Sequence, residues 1–139
     1  MKTAKTPWTI KQFIDHRGIR VHCTRTDDNP NMIDPSPDMR HWLCTLLQGD
    51  GTGREMRVYF SQGNAHTKAP TAADVLDCLA SDAAGVFNEP FDVWADDIGY
   101  DSDSRKAHKL YKTIQRQSER LKAFLGSDYN TLLWDVERL

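Results

Sequence analysis

Residues 69–104 of this sequence contain no lysine and no arginine, although they contain nine aspartate and glutamate residues. The following segment, 105–126, reverses this bias with seven basic residues and one glutamate. The formal net charge of the 139 residues is only −2. The charges therefore nearly cancel over the whole chain, yet they are strongly segregated along it.

Long apolar runs are also lacking. No stretch approaches the roughly 20 apolar residues that a membrane-spanning helix needs, so we expect no contact with a membrane. The N-terminal MKTAKTPWTI has lysines but no apolar core behind them, and we therefore expect no secretory signal. The three cysteines are widely spaced and odd in number, which argues against a disulfide framework and favours a reducing, cytoplasmic setting.

Metal-binding spacings are absent as well. The five histidines form no H-x-x-H or H-E-x-x-H pattern, and the cysteines form no C-x-x-C pattern. Cys23 and Cys44 are predicted on the inward faces of two different strands. A zinc site across these strands is one interpretation, but we favour buried free thiols that pack as small apolar groups.

A run of aspartates invites comparison with a calcium-binding loop. A loop that began at Asp101 would need an oxygen ligand at its fifth position, glycine at its sixth and glutamate at its twelfth. The sequence has Arg105, Lys106 and Lys112 there. We therefore expect neither a metal ion nor a cofactor, and interpret these aspartates as residues that favour a helix N-terminus.

Alternation of apolar and polar residues predicts three β-strands. IRVHCTRT alternates from its first residue, and the β-prone runs RHWLCTLLQ and REMRVYFSQ flank GDGTG. The three glycines of GDGTG supply the positive φ that a tight reversal needs. We therefore predict strands at 19–26, 40–48 and 54–61, with the last two forming a hairpin.

Most of the remaining sequence has helical periodicity. Thr71 and Asp74 form a capping-box pattern, and Asp101 or Ser102 is the predicted cap of the long helix. Gly18, Gly99 and Gly126 mark predicted helix ends. Helices are predicted at about 9–17, 71–84, 89–98, 102–125 and 128–137.

Strands that precede helices in this way are typical of an α+β domain. We predict a single domain in which a small antiparallel sheet carries the helices on its apolar face. Residues 1–8 are expected to be flexible. The segment 27–39, with three prolines and four aspartates, is expected to be a long loop.

FSQGNAH, residues 60–66, is the one stretch that resembles a catalytic loop. A serine nucleophile needs a base within hydrogen-bond reach, and Ser61 and His66 are close in sequence. Ser61, however, does not lie within a G-x-S-x-G turn. We therefore interpret the stretch as a strand end with a glycine turn, with a place in a contact surface as its alternative role.

The helix predicted at 102–125 carries its basic residues on one side. At 100° per residue, five of them fall within about 80°, opposite the apolar stripe. These residues are Arg105, Lys109, Lys112, Arg116 and Arg120. This face has three possible interpretations. It is solvated or pairs with the chain's own carboxylates; it binds phosphates of a nucleic acid; or it contacts an acidic protein.

The acidic segment, 71–103, is the counterpart of this basic face. Its carboxylates are predicted on exposed helical faces, where they act as caps and solvated groups or imitate the phosphates of a nucleic acid. The candidate contact residues among them are Asp74, Asp77, Asp92, Asp96 and Asp97. Asp82 belongs to the same predicted helix as Asp74 and Asp77.

Several strings occur together in an order that resembles a family of small proteins from bacteriophage and prophage genomes. They are DDNPNM, REMRVYFSQGNAH, PTAADVLDCLASDAAG, FDVWADDIGYDSDSRKAHKLY and LKAFLG, and the resemblance covers about residues 20–139. No activity is established for that family, so the resemblance implies no catalytic residues. It implies a phage accessory protein that works in the bacterial cytoplasm.

These observations favour a binding protein over an enzyme. Small accessory proteins of phage origin often inhibit host defence by binding, as anti-CRISPR proteins do, so a host protein or a protein–nucleic acid complex is the expected partner. The alternative is a phage regulator that binds nucleic acid through the basic face. An enzyme built on Ser61 and His66 is the third and weakest hypothesis.

Overall fold

A computed structural model of the protein describes residues 8–32, 38–49 and 54–136. Within these ranges the helices are α1 (Ile10–Arg17), α2 (Ala72–Asn88), α3 (Phe91–Asp97) and α4 (Arg105–Leu125), and the strands are β1 (Ile19–Thr26), β2 (Met39–Gln48) and β3 (Glu55–Gly63). The predicted α+β architecture is confirmed. Four predicted features lie wholly or partly outside the described residues: the flexible start except Trp8, loop residues 33–37, hairpin residues 50–53, and residue 137 of the last predicted helix.

The three strands form one antiparallel sheet in the order β1-β2-β3. Cys44 at the centre of β2 lies opposite Cys23 of β1 and Val58 of β3. Because successive side chains of a strand point to opposite faces, this register places the buried apolar residues of the three strands on one face. The opposite face carries exposed polar residues such as Arg20 and Arg57.

The main core lies between the apolar face of the sheet and the helices. Leu46 of β2 is fully buried there with Leu76 of α2 and with Leu121 and Leu125 of α4. Burial of a leucine side chain contributes about 1.5–3 kcal/mol. The sheet therefore holds α2 and the C-terminal half of α4 through one continuous apolar contact.

A second, smaller core holds the N-terminal half of α4 against α3. Trp94, Ala107 and Ile114 are buried in it. Its edge is aromatic: the ring of Phe91 stacks on His108 with 4.1 Å between centroids, and Tyr111 meets Trp94 edge-on at 5.1 Å. Since the two cores hold different halves of α4, the helix is fixed along its length.

A hydrogen-bonded cluster ties α1 and β2 to the C-terminal end of α4. The guanidinium group of Arg17 donates to the Asp128 carboxylate, to Gln48 Oε1 at 2.7 Å and to the Leu125 carbonyl at 3.2 Å. The amide of Gln48, itself buried, also donates to the Phe124 carbonyl. Carbonyl groups at a helix end lack partners within the helix, so Arg17 and Gln48 supply them.

Predicted helix starts and ends are only partly confirmed. The capping box is present, with Asp74 N donating to Thr71 Oγ1 at 3.2 Å and Thr71 N donating to Asp74 Oδ2 at 2.9 Å. Gly18 and Gly99 have the predicted positive φ, 64° and 86°. Asp101 or Ser102 as the cap of α4 was wrong, because Ser104 is the N-cap and its Oγ accepts from Ala107 N at 3.2 Å.

Two helices differ in extent from the prediction. Helix α2 continues past Gly85, because Val86 packs against the second core and offsets the cost of about 1 kcal/mol for glycine inside a helix. The last segment is not a regular α-helix: it has a 3₁₀ turn at Gly126–Asp128 and a wider π turn at Thr131–Asp135. Four of its apolar residues are nevertheless buried: Tyr129, Leu132, Leu133 and Val136.

Replacing Arg17 tests whether its cluster stabilises the end of α4. Arg17→Met removes the donor to three acceptors, so we expect the free energy of unfolding to fall by about 2 kcal/mol in urea at pH 7. Arg20→Met, on the exposed face of β1, is the matched control and should change it by less than about 0.5 kcal/mol. If both substitutions change the free energy of unfolding equally, the hydrogen bonds of Arg17 do not stabilise the end of α4.

Candidate functional site

Helix α4 is the most strongly amphipathic element of the structure. Ser104 is its N-cap. Residues spaced three and four apart form a buried stripe that faces the two cores, and this stripe includes Ala107, Ile114 and Leu121. All five predicted basic residues, Arg105, Lys109, Lys112, Arg116 and Arg120, are exposed on the other side. At 1.5 Å per residue, they extend over about 22 Å of the helix axis. We call this set the basic face.

The basic face is not neutralised by the chain's own carboxylates. Among residues 8–32, 38–49 and 54–136, none of its five side chains forms an ion pair. Arg116 instead donates to Thr113 Oγ1 at 3.4 Å, and Arg120 donates to the backbone carbonyl of Arg57. The interpretation of this face as a partner of the chain's own acidic segment is therefore wrong for the described residues.

Open depressions flank the basic face on both sides. One has a volume of about 580 Å³ and lies between the end of α4 and β3, where Arg54 and Arg57 extend the positive charge beyond Arg120. The other, of about 590 Å³, lies between the C-terminal end of α2 and α4. We call the second depression the aromatic groove.

The aromatic groove combines apolar and basic side chains. Phe87 at its edge is 66% exposed, and Tyr111 and Tyr129 also line it. Lys112, Arg116 and Lys122 supply positive charge, against one carboxylate, Glu119. Aromatic rings beside cations offer a partner both apolar contact area and charge pairing, a combination enriched at protein interfaces.

The acidic segment contributes fewer free carboxylates than its composition suggests. Asp74 is bound in the capping box of α2, and Asp77 is half-buried. Asp92, Asp96 and Asp97 are exposed on α3.

Two of these carboxylates lie at an unfavourable end of their helix. Asp96 and Asp97 lie in the last turn of α3, where negative charge is disfavoured by the helix dipole. A hydrogen bond with Asp97, partial desolvation and the negative charge of Asp97 raise the pKa of the Glu89 carboxyl. The end of α3 is therefore a concentration of like charge.

Ser61 and His66 do not form the pair that the sequence suggested. Ser61 Oγ lies 2.7 Å from Nδ1 of His41, its direct cross-strand neighbour, and accepts from Asn29 Nδ2 at 2.9 Å. His66 is exposed beside Lys68 and Thr71 in a different depression. Since the Ser61 hydroxyl lies between His41 and Asn29, it anchors the 27–32 segment to the end of the sheet.

The partners of Ser61 could not be found from sequence spacing. His41 is 20 residues from Ser61 and Asn29 is 32 residues away. Only the register of β2 against β3 brings His41 opposite Ser61. The sequence predicted the hairpin, but only its exact strand register would have predicted that His41 lies opposite Ser61.

The two strand cysteines pack as predicted. The Sγ atoms of Cys23 and Cys44 are 3.4 Å apart between paired strands, and burial raises the pKa of the Cys44 thiol. In the part of the chain that the structure describes, no group of three or more His, Cys, Asp or Glu side chains could hold a metal ion. No described helix is both long and apolar enough to cross a membrane.

Comparison of the chain with family models, with curated proteins and with solved structures finds no match. The resemblance to phage proteins therefore stays a prediction.

Ser61→Ala tests whether the serine is structural. It leaves the amide of Asn29, which is only 6% exposed, without its acceptor, so we expect the free energy of unfolding to fall by about 1–3 kcal/mol. Ser102→Ala is the control at an exposed serine and should be nearly neutral. Chemical denaturation measures both, and an unchanged stability in Ser61→Ala would contradict the anchoring role.

Proposed function

We propose that this chain is a non-enzymatic binding protein that holds a negatively charged partner surface against the basic face of α4. One observation carries the proposal: five exposed cations lie on one side of a helix that two cores hold in place, and none is ion-paired within the described chain. Like charges aligned on a helix destabilise it by a few tenths of a kcal/mol per pair. A partner that neutralises them removes that cost.

The surroundings of the basic face fit a protein partner. Phe87 projects beside Lys112 and Arg116 and offers an apolar anchor next to the charges. Buried aromatic and arginine side chains dominate the energy of most protein interfaces, whereas charges at the rim mainly steer association. The aromatic groove is therefore the proposed centre of the contact, and the rest of the basic face guides the approach.

The resemblance to phage accessory proteins supplies the proposed setting. In that setting the partner is a host protein or a protein–nucleic acid complex of a bacterial defence system, met in the bacterial cytoplasm, and binding inhibits it as anti-CRISPR proteins do. This step rests on origin and not on any residue of the site.

Nucleic acid is the alternative partner. Aromatic rings beside a line of cations also suit single strands, whose bases stack on the rings while their phosphates meet the cations. A net charge of −2 and the acidic α3 weigh against it, because a nucleic acid would be repelled by that part of the surface.

Charge reversal on the basic face tests the proposal. Tagged protein is used to capture partners from bacterial lysate, with and without nuclease treatment, at low and at high salt. Lys112→Glu with Arg116→Glu should abolish capture of the low-salt partner. Lys11→Glu with Arg20→Glu, which changes the net charge equally at exposed sites on α1 and β1, should preserve it.

The same experiment separates the alternatives. A partner lost instead with Asp92→Lys and Asp96→Lys would assign the contact to the acidic segment and contradict the proposal. If nucleic acid is captured, the five cations predict an affinity that falls about 500-fold between 50 and 200 mM salt in a gel-shift titration. Recovery of no partner under any condition would contradict the binding function itself.

A further inference from the structure

A separate cleft of about 390 Å³ lies on another side of α4, between that helix, α2 and the edge strand β3. Residues spaced three and four apart on both helices form its walls, from Val75 to Asp82 on α2 and from Leu110 to Gln117 on α4. Val58 and Phe60 contribute from β3. The volume lies within the range of small-molecule sites, about 300–1,000 Å³.

The cleft is mainly apolar, and some of its polar side chains are already paired within the chain. Ser61 and Asn29 bind each other, and Thr113 Oγ1 donates to the Lys109 carbonyl at 2.9 Å. Among the described residues, Asp82 is the only carboxylate that lines the cleft. It is half-buried, and its one hydrogen-bonding neighbour in the described chain is the Cys78 thiol, at 3.9 Å.

No lysine or arginine of the described residues faces Asp82 across the cleft. The lining includes neither lysine nor arginine, and its other titratable side chains are Cys78 from α2, Tyr59 from β3 and Tyr100 from the segment before α4. Desolvation of the thiol, together with the negative charges of Asp82 and Asp77, raises the pKa of Cys78 to about 12, so the thiol stays neutral. Burial raises the pKa of Asp82 to about 6.

We propose that this cleft binds a small, largely apolar molecule that carries one protonated amine, with the ammonium group on Asp82 and the apolar body between α2 and α4. A ligand of this kind supplies the missing counter-charge and covers the apolar walls at the same time. The carboxylate is ionised at neutral pH but partly desolvated, and a charge in that position is stabilised by a direct hydrogen-bonded partner.

Other ligand classes fit the cleft less well. An anion would meet Asp82 and no positive side chain. A neutral apolar molecule would complete the desolvation of the carboxylate without pairing it. A metal ion would find one carboxylate and a neutral thiol, and no metal-binding group of three occurs among the described residues.

The site is independent of the partner surface proposed above. Its residues on α4, such as Leu110 and Ile114, lie on the apolar side of the helix, whereas the cations lie on the opposite side. Binding of an amine can therefore succeed or fail without any bearing on the basic face.

Titration with 2-phenylethylamine tests the proposal, with 2-phenylethanol as its uncharged counterpart. Binding is followed by calorimetry and by ¹H–¹⁵N NMR shifts of cleft residues. We expect Asp82→Asn to weaken binding of the amine about 10- to 100-fold and not to weaken binding of the alcohol, since a neutral amide costs less to desolvate than a carboxylate. Asp96→Asn, which removes the same charge from the exposed face of α3, should bind the amine as the wild type does.

The pH dependence gives a second readout. Because the protonated amine binds the ionised carboxylate, affinity should be constant between the pKa of Asp82 and that of the amine, and should fall as pH drops from 7 to 5. The fold of Asp82→Asn is not at risk, since a raised carboxyl pKa means that the ionised group destabilises the folded state at neutral pH.

Three outcomes would overturn the proposal. They are unchanged amine binding in Asp82→Asn, no shift of cleft residues at millimolar amine, and tight binding of a lysine-containing peptide in place of 2-phenylethylamine. The last would assign the cleft to a protein side chain instead of a small molecule.

Discussion

The packing of α4 against one face of a three-stranded sheet is the constraint on which the rest of the structure depends. Leu121 and Leu125 enter the main core, and the register of the sheet gathers its buried apolar side chains on that face. Once this side of the helix is buried, the residues on its other side must face solvent. Five of those residues are basic, so the same contact that forms the core also creates the positive surface.

A second constraint holds that surface in place. The aromatic cluster of Phe91, Trp94 and Tyr111 holds the first half of α4, and Arg17 with Gln48 binds the carbonyl groups at its end. Arg57, whose carbonyl accepts from Arg120, continues the positive charge onto β3. Side chains presented by an element held at both ends lose little further freedom on binding, which favours affinity.

The sequence predicted those parts of the fold that depend on local periodicity. The strand at 19–26, the hairpin, the capping box of Thr71 and the basic face of α4 all follow from spacings of two or of three and four residues. The cap of α4 was misplaced because several capping residues follow one another before it, and only tertiary contacts decide among them. The first residue of a helix is therefore harder to predict from the sequence than the presence of the helix.

Features that depend on distant parts of the chain could not be predicted. His41 meets Ser61 through strand register, whereas the nearby His66 suggested the wrong pair. Asp82 was indistinguishable from its acidic neighbours, since its half-burial arises from β3 and α4 closing over the cleft. That the basic face forms no ion pair within the described part of the chain likewise depends on where α3 places its carboxylates.

The stability of a neutralised basic face tests the central claim most directly. The claim is that these cations face solvent and form no ion pair with any carboxylate of the described residues. Lys109→Gln, Lys112→Gln and Arg116→Gln together should leave the free energy of unfolding at low salt within about 0.5 kcal/mol of the wild type, or raise it as like-charge repulsion is removed. A loss of more than about 1 kcal/mol that disappears at high salt would show that the chain pairs these cations itself, and would contradict the account.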